Sequence, residues 1–177
     1  MACLDLPGIA QHVVQCGPGR TGRFDSDDDR AGYLRELAAA AHAEYCHLHA
    51  YALLDRHAHL LLTPVAPGQA IRMMRALERR LARPFAWRCH SLAPFDDGAV
   101  LACQRGIELA PVRAGLAPRP GRYRWASYAG NAPSVSDPLL QPHRAWLALG
   151  RDAAARRRAW AAFVDAGLRA PDAHACR

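Results

Sequence analysis

The pair His57-Ala58-His59 is the arrangement in this chain best suited to chemistry. Side chains alternate faces along a strand, so two histidines one residue apart project from the same face and can share a divalent cation. Two imidazoles leave most of a metal's coordination sphere to water or to further protein ligands, so the pair is only the start of a site. His47 and His49 repeat the pattern one strand earlier, and spacing alone does not choose between the two pairs.

Several elements must position these residues. An apolar run over residues 11–15 closes on Cys16-Gly17-Pro18-Gly19 and predicts a first strand ending in a turn. Asp25-Ser26-Asp27-Asp28-Asp29 supplies an N-cap and negative charge for a helix reaching about residue 42. Residues 45–54 and 58–63 read as strands joined by a tight turn at Asp55-Arg56, and Pro64 and Pro67-Gly68 end the hairpin. A second helix over residues 69–83 gathers Met74, Leu77 and Leu81 on one side and Arg72, Arg75, Arg79 and Arg83 on the other.

A fourth strand falls within residues 85–94. Asp96-Asp97-Gly98 then caps a helix over residues 99–109 that Pro111 is expected to stop. Pro118, Pro120 and Gly121 mark a loop, residues 132–138 a polar linker, and residues 139–168 two short helices, one before Gly150 and one holding Arg156-Arg157-Arg158. The order β-α-β-β-α-β-α predicts an α+β, ferredoxin-like fold: an antiparallel sheet with helices on one face, plus a short C-terminal helical extension. The division expected is a domain over residues 1–131 and a linker with helices over 132–177.

At 177 residues and 51% hydrophobic, the chain can bury one core. It has no apolar run near the ~18 residues of a membrane span, and residues 1–10 lack the pattern of a secretory signal, so a cytoplasmic protein is expected. The six cysteines form no close pairs and read as free thiols. A net charge of +7 favours an anionic partner, and all 23 basic residues are arginine, whose planar fork grips phosphates and guanine edges at two points. GC-rich coding would also replace lysine with arginine, so the residue type is less informative than its placement.

Several separated segments resemble a known family. They are Leu48-His49-Ala50-Tyr51-Ala52-Leu53-Leu54, the His57-Ala58-His59 pair with Leu60-Leu61-Leu62-Thr63-Pro64, and Ile107-Glu108-Leu109-Ala110-Pro111-Val112-Arg113-Ala114-Gly115-Leu116. Supporting matches are Gln11-His12-Val13-Val14 with Gly17 and Arg20, and Tyr123-Arg124-Trp125-Ala126-Ser127-Tyr128. Together, over residues 8–131, they resemble the REP-associated tyrosine transposases, the single-tyrosine branch of the HUH nucleases. The resemblance selects His57 and His59 as the metal pair, with His49 at a family strand position.

In that family the two histidines bind Mg²⁺ or Mn²⁺, a helical tyrosine attacks the scissile phosphate to form a 5′-phosphotyrosine, and an asparagine or glutamine one turn later completes the metal site. This chain departs at both helix positions. Gly106 stands at the tyrosine position, Ala110 at the asparagine position, and Gln104 replaces a further family tyrosine. Glu108, two residues from Gly106, points to another side of the helix and is a poor substitute ligand.

The resemblance therefore implies a transposase-like DNA-binding protein without a catalytic nucleophile, with a weak or vestigial Mg²⁺ or Mn²⁺ site. Its expected partner is hairpin or palindromic DNA with flanking single strand, bound for regulation. The expected contacts are Arg20, Arg23, Arg72, Arg75, Arg79, Arg83, Arg113, Arg119, Arg122 and Arg124 on phosphates, with Trp125 and Tyr128 stacking on bases. Two alternatives remain open at this point: an active nickase using another nucleophile such as Tyr123 or Tyr128, and a protein-interaction module using the C-terminal helices.

Overall fold

The computed structural model describes residues 6–16, 24–82, 86–91 (as backbone), 96–132 and 136–169. Arg20, Arg23, Arg83 and the turn expected at residues 17–19 lie outside them. Four strands, β1 (Gln11–Cys16), β2 (Cys46–Leu53), β3 (His57–Pro64) and β4 (Ala86–Ser91), form one antiparallel sheet in the order β2-β3-β1-β4. Helices α1 (Asp27–Ala43) and α2 (Gln69–Leu81) make the two crossovers, which gives the expected ferredoxin-like topology.

Local signals explain each boundary. Ser26 caps α1 in a reciprocal box with Asp29, and three aspartates in the first turn complement the helix dipole. Alternation then sets the layers. Val13, Leu48, Leu53, Ala58, Leu60 and Leu62 point towards α1 and α2, where they meet Tyr33, Leu37, Met73, Met74 and Leu77 in the main core. Burying one side chain of this size contributes about 1.5–3 kcal/mol.

The third helix, α3 (Asp97–Arg113), covers the opposite face of the sheet. Its Val100, Cys103 and Ile107 pack on Ala10, Ala50, Ala52, Leu54 and Leu61. Helices therefore lie on both faces, not on one as the element order predicts; only the two crossover helices share a face. The helix also runs through Pro111, contrary to the expected stop. Proline so close to the C-terminus forfeits a single backbone bond, and the helix ends instead at Gly115. That residue, at φ +73°, donates to the Val112 carbonyl while Leu116 donates to Pro111, which is a Schellman closure.

Beyond a 3₁₀ turn (Pro120–Arg122) come α4 (Tyr128–Asn131), α5 (Arg144–Leu147) and α6 (Ala153–Arg169). Trp146, Trp160 and Val164 enclose Leu109 of α3 in a third cluster, so the C-terminal helices are built onto α3. The outer edge of β2 is covered by backbone bonds to Trp125, Ser127 and Gln141, which removes an open pairing edge. Cys16, Cys46 and Cys103 are free thiols, and no helix among the described residues is long and apolar enough to cross a membrane.

Candidate functional site

The α3-facing side of the sheet carries the histidines. His57 and His59 project there from β3, their rings 4.8 Å apart and nearly perpendicular. His12 on the adjacent β1 joins them: its Nε2 lies 3.0 Å from His59 Nδ1, with the two rings stacked at 5.2 Å. In the sequence His12 stands out only as part of the Gln11-His12-Val13-Val14 segment. Its place in the cluster follows from pairing across strands, 47 residues apart in the chain.

Residues 103, 106, 107, 110 and 113 of α3 recur at three- and four-residue intervals and so share one face. That face meets the histidines across a cleft of about 280 Å³, lined by His12, His57, His59, Gly106, Ala110 and Arg113 together with Leu54, Cys103 and Ile107. The two helix positions expected to carry nucleophile and ligand thus do face the histidine pair. A Cβ built on Gly106 would meet nothing within 4 Å.

Burial, together with the neighbouring His12 and His57, lowers the His59 pKa to about 3, and burial beside Arg56 lowers that of His57. Both imidazoles are therefore neutral near pH 7, the state a metal requires. The donor set nevertheless fits a resident metal poorly. The third imidazole is tied to His59 by a nitrogen-to-nitrogen hydrogen bond, Ala110 offers no donor, and no group of three or more His, Cys, Asp or Glu among the described residues is arranged around a common point.

The second His-x-His pair has a different role. A register shift between Leu48 and Ala50 interrupts its strand. Buried His49 bonds to the Gln141 carbonyl at 2.5 Å and to Thr63 Oγ1 at 2.8 Å, and burial lowers its pKa to about 4. It is a structural histidine.

Glu108 points away from the cleft and is fully buried. Its carboxylate accepts from Ser127 Oγ at 2.8 Å, Asn131 Nδ2 at 2.7 Å and Trp160 Nε1 at 2.8 Å. Burial pushes its pKa up to about 7 against the pull of these bonds and one from Gln104. Gln104 is itself buried behind the helix.

The expected nucleic-acid contacts divide between two faces. Arg72, Arg75 and Arg79 are exposed on α2, across the sheet from the cleft, and Arg72 is paired with Glu44 at 2.9 Å. Arg113 lines the cleft, and Arg119 and Arg122 are exposed around the 3₁₀ turn that packs on α3. The arginines of α2 and those around the cleft therefore lie on opposite sides of the sheet.

Trp125 is not a free stacking platform. It is 8% exposed, donates to Asp27 Oδ1 at 3.0 Å and lies under Arg124, which itself reaches Asp27 at 3.6 Å. Tyr128 is half-buried against the third cluster. Both aromatics are committed to packing because each borders a helix interface that sequence periodicity does not reveal.

No protein-family model matches the chain, and no curated protein matches its sequence. A solved structure of a REP-associated tyrosine transposase bound to a REP hairpin does match, with a TM-score of 0.59 at 11% identity, covering 74% of this chain and 83% of that one. The two chains share a fold. At this identity the likeness is a distant structural relationship, and the residues of the cleft must carry any statement about chemistry.

Proposed function

We propose that this chain is a DNA-binding protein built on a transposase fold, one that recognises hairpin or palindromic DNA with a flanking single strand and acts by occupying it. The observation that carries this reading is that α3 presents Gly106 and Ala110 to the histidine pair. A transfer through a phosphotyrosine needs a tyrosine at that helix position, and glycine has no side chain to attack. None of the five tyrosines lines the cleft. The net charge of +7 and the binding partner of the structural neighbour support an interaction with DNA. Regulation of genes near such repeats is the role consistent with binding without cutting, and any Mg²⁺ or Mn²⁺ is held weakly.

The test uses end-labelled hairpin DNA with Mn²⁺. Expected is reversible binding that weakens steeply between about 50 and 200 mM salt, with no denaturant-resistant protein–DNA adduct. An adduct lost in His57→Ala would replace this reading with an active nickase. Absence of salt-sensitive binding by folded protein would remove the DNA-binding function.

A further inference from the structure

We infer that the cleft between α3 and the histidines receives one unstacked nucleobase of the bound strand; this rests on the DNA-binding reading above. Two small residues leave the cleft open. Gly106 leaves open space and Ala110 contributes a methyl group, so about 280 Å³ stands where a tyrosine and an asparagine would project.

The lining is sharply two-sided. Leu54, Cys103 and Ile107 make a buried apolar wall, and the imidazoles make the other. His57 is half-exposed and brings two ring nitrogens, and the second nitrogen of His59 makes no hydrogen bond among the described residues. Arg113 and Ala114 are exposed at the mouth.

These features discriminate among ligand classes. A bare phosphate would be held better at the mouth beside Arg113 than against the apolar wall, where it would be desolvated. An aliphatic group would leave the imidazole nitrogens unpaired. A nucleobase has apolar faces and a hydrogen-bonding edge, the combination by which extruded bases are read: stacking on aromatic or apolar side chains with polar contacts at the edge. Its phosphate would then lie at the mouth beside the Arg113 guanidinium. The volume lies just below the usual range for ligand pockets, which suits one base with its sugar outside.

The experiment has two arms. In the first, 2-aminopurine is placed in turn at each single-stranded position flanking a hairpin, while anisotropy follows binding of the same DNA. In the second, ring-proton resonances of His57 and His59 are followed by NMR as the four deoxynucleoside 5′-monophosphates are added. Expected is a several-fold fluorescence rise at one position, and histidine shifts with at least one monophosphate. Gly106→Phe and Ala110→Leu, which fill the cleft, lose both signals and weaken hairpin binding without altering its salt dependence.

Salt-sensitive hairpin binding with no fluorescence rise and no histidine shift overturns the base pocket and leaves the DNA-binding reading standing. Histidine shifts without hairpin binding support the pocket and remove that reading. Absence of every signal overturns both.

Discussion

Gly106 combines a chemical absence with an energetic cost. A glycine within a helix is less favourable than alanine by about 1 kcal/mol, and here no packing requirement explains it, since a Cβ would meet nothing within 4 Å. Gly106→Ala is therefore expected to stabilise the chain by about 1 kcal/mol in urea unfolding. The same free space admits Gly106→Tyr combined with Ala110→Asn, and that variant should remain folded. If the cleft retains the geometry of a nicking site, it should also form a Mn²⁺-dependent covalent adduct with hairpin DNA. Glu108 gives a second prediction at this scale. Its folded pKa of about 7 exceeds the ordinary 4.5, so its contribution is fully present below pH 4.5 and is lost as pH rises through 7. The size is on the order of 3 kcal/mol. His49 and His59, with pKa lowered to about 4 and 3, act in the opposite sense, losing stability as pH falls below 6.5. The measurement is accordingly the difference in unfolding free energy between the native chain and Glu108→Gln across this range, which should grow in favour of the native chain as pH falls from 7 to 4.5.

At the level of elements, the two arginine groups are separated by the sheet, and this sets a testable asymmetry. If a strand lies along α3, replacing Arg113, Arg119 and Arg122 together with alanine should lower the slope of log K against log salt by about 2, whereas Arg75→Ala with Arg79→Ala should change it by less than about 1. Equal effects would place DNA on both sides of the molecule. The elements themselves are largely legible in the sequence, because Ser26 and Asp96 are strong caps and residues 57–62 alternate between the two faces of the sheet. The length of α3 was not, because Pro111 reads as a stop unless the closure at Gly115 is recognised. Nor was its side of the sheet, which depends on contacts distant in sequence. The candidate site was legible in part. The positions of His57, His59, Gly106 and Ala110 could be placed by pattern and resemblance, but His12 joins them only through strand pairing. The partners of Glu108 lie 19, 23 and 52 residues away, separations at which no local periodicity operates.

For the whole molecule, the third cluster and the Glu108 network tie residues beyond 132 to the sandwich. Trp160 is fully buried and supplies one of the carboxylate's hydrogen bonds. Trp160→Phe should cost about 1–3 kcal/mol through the lost donor, and Trp160→Ala about 3–5 kcal/mol, both read from thermal or urea unfolding. Truncation at residue 138 would uncover Leu109 and Glu108 and is expected to abolish cooperative unfolding. The C-terminal helices thus extend the core formed with α3. A consequence follows for how such a chain can change over generations. The two sides of α3 answer to different constraints: one borders an open hollow, and the other holds the remaining layers in place. Replacements on the hollow side can erase a reaction while the shape persists, whereas those on the far side would dismantle the architecture. This separation lets the side chains around the hollow vary without disturbing the packing that holds the fold together.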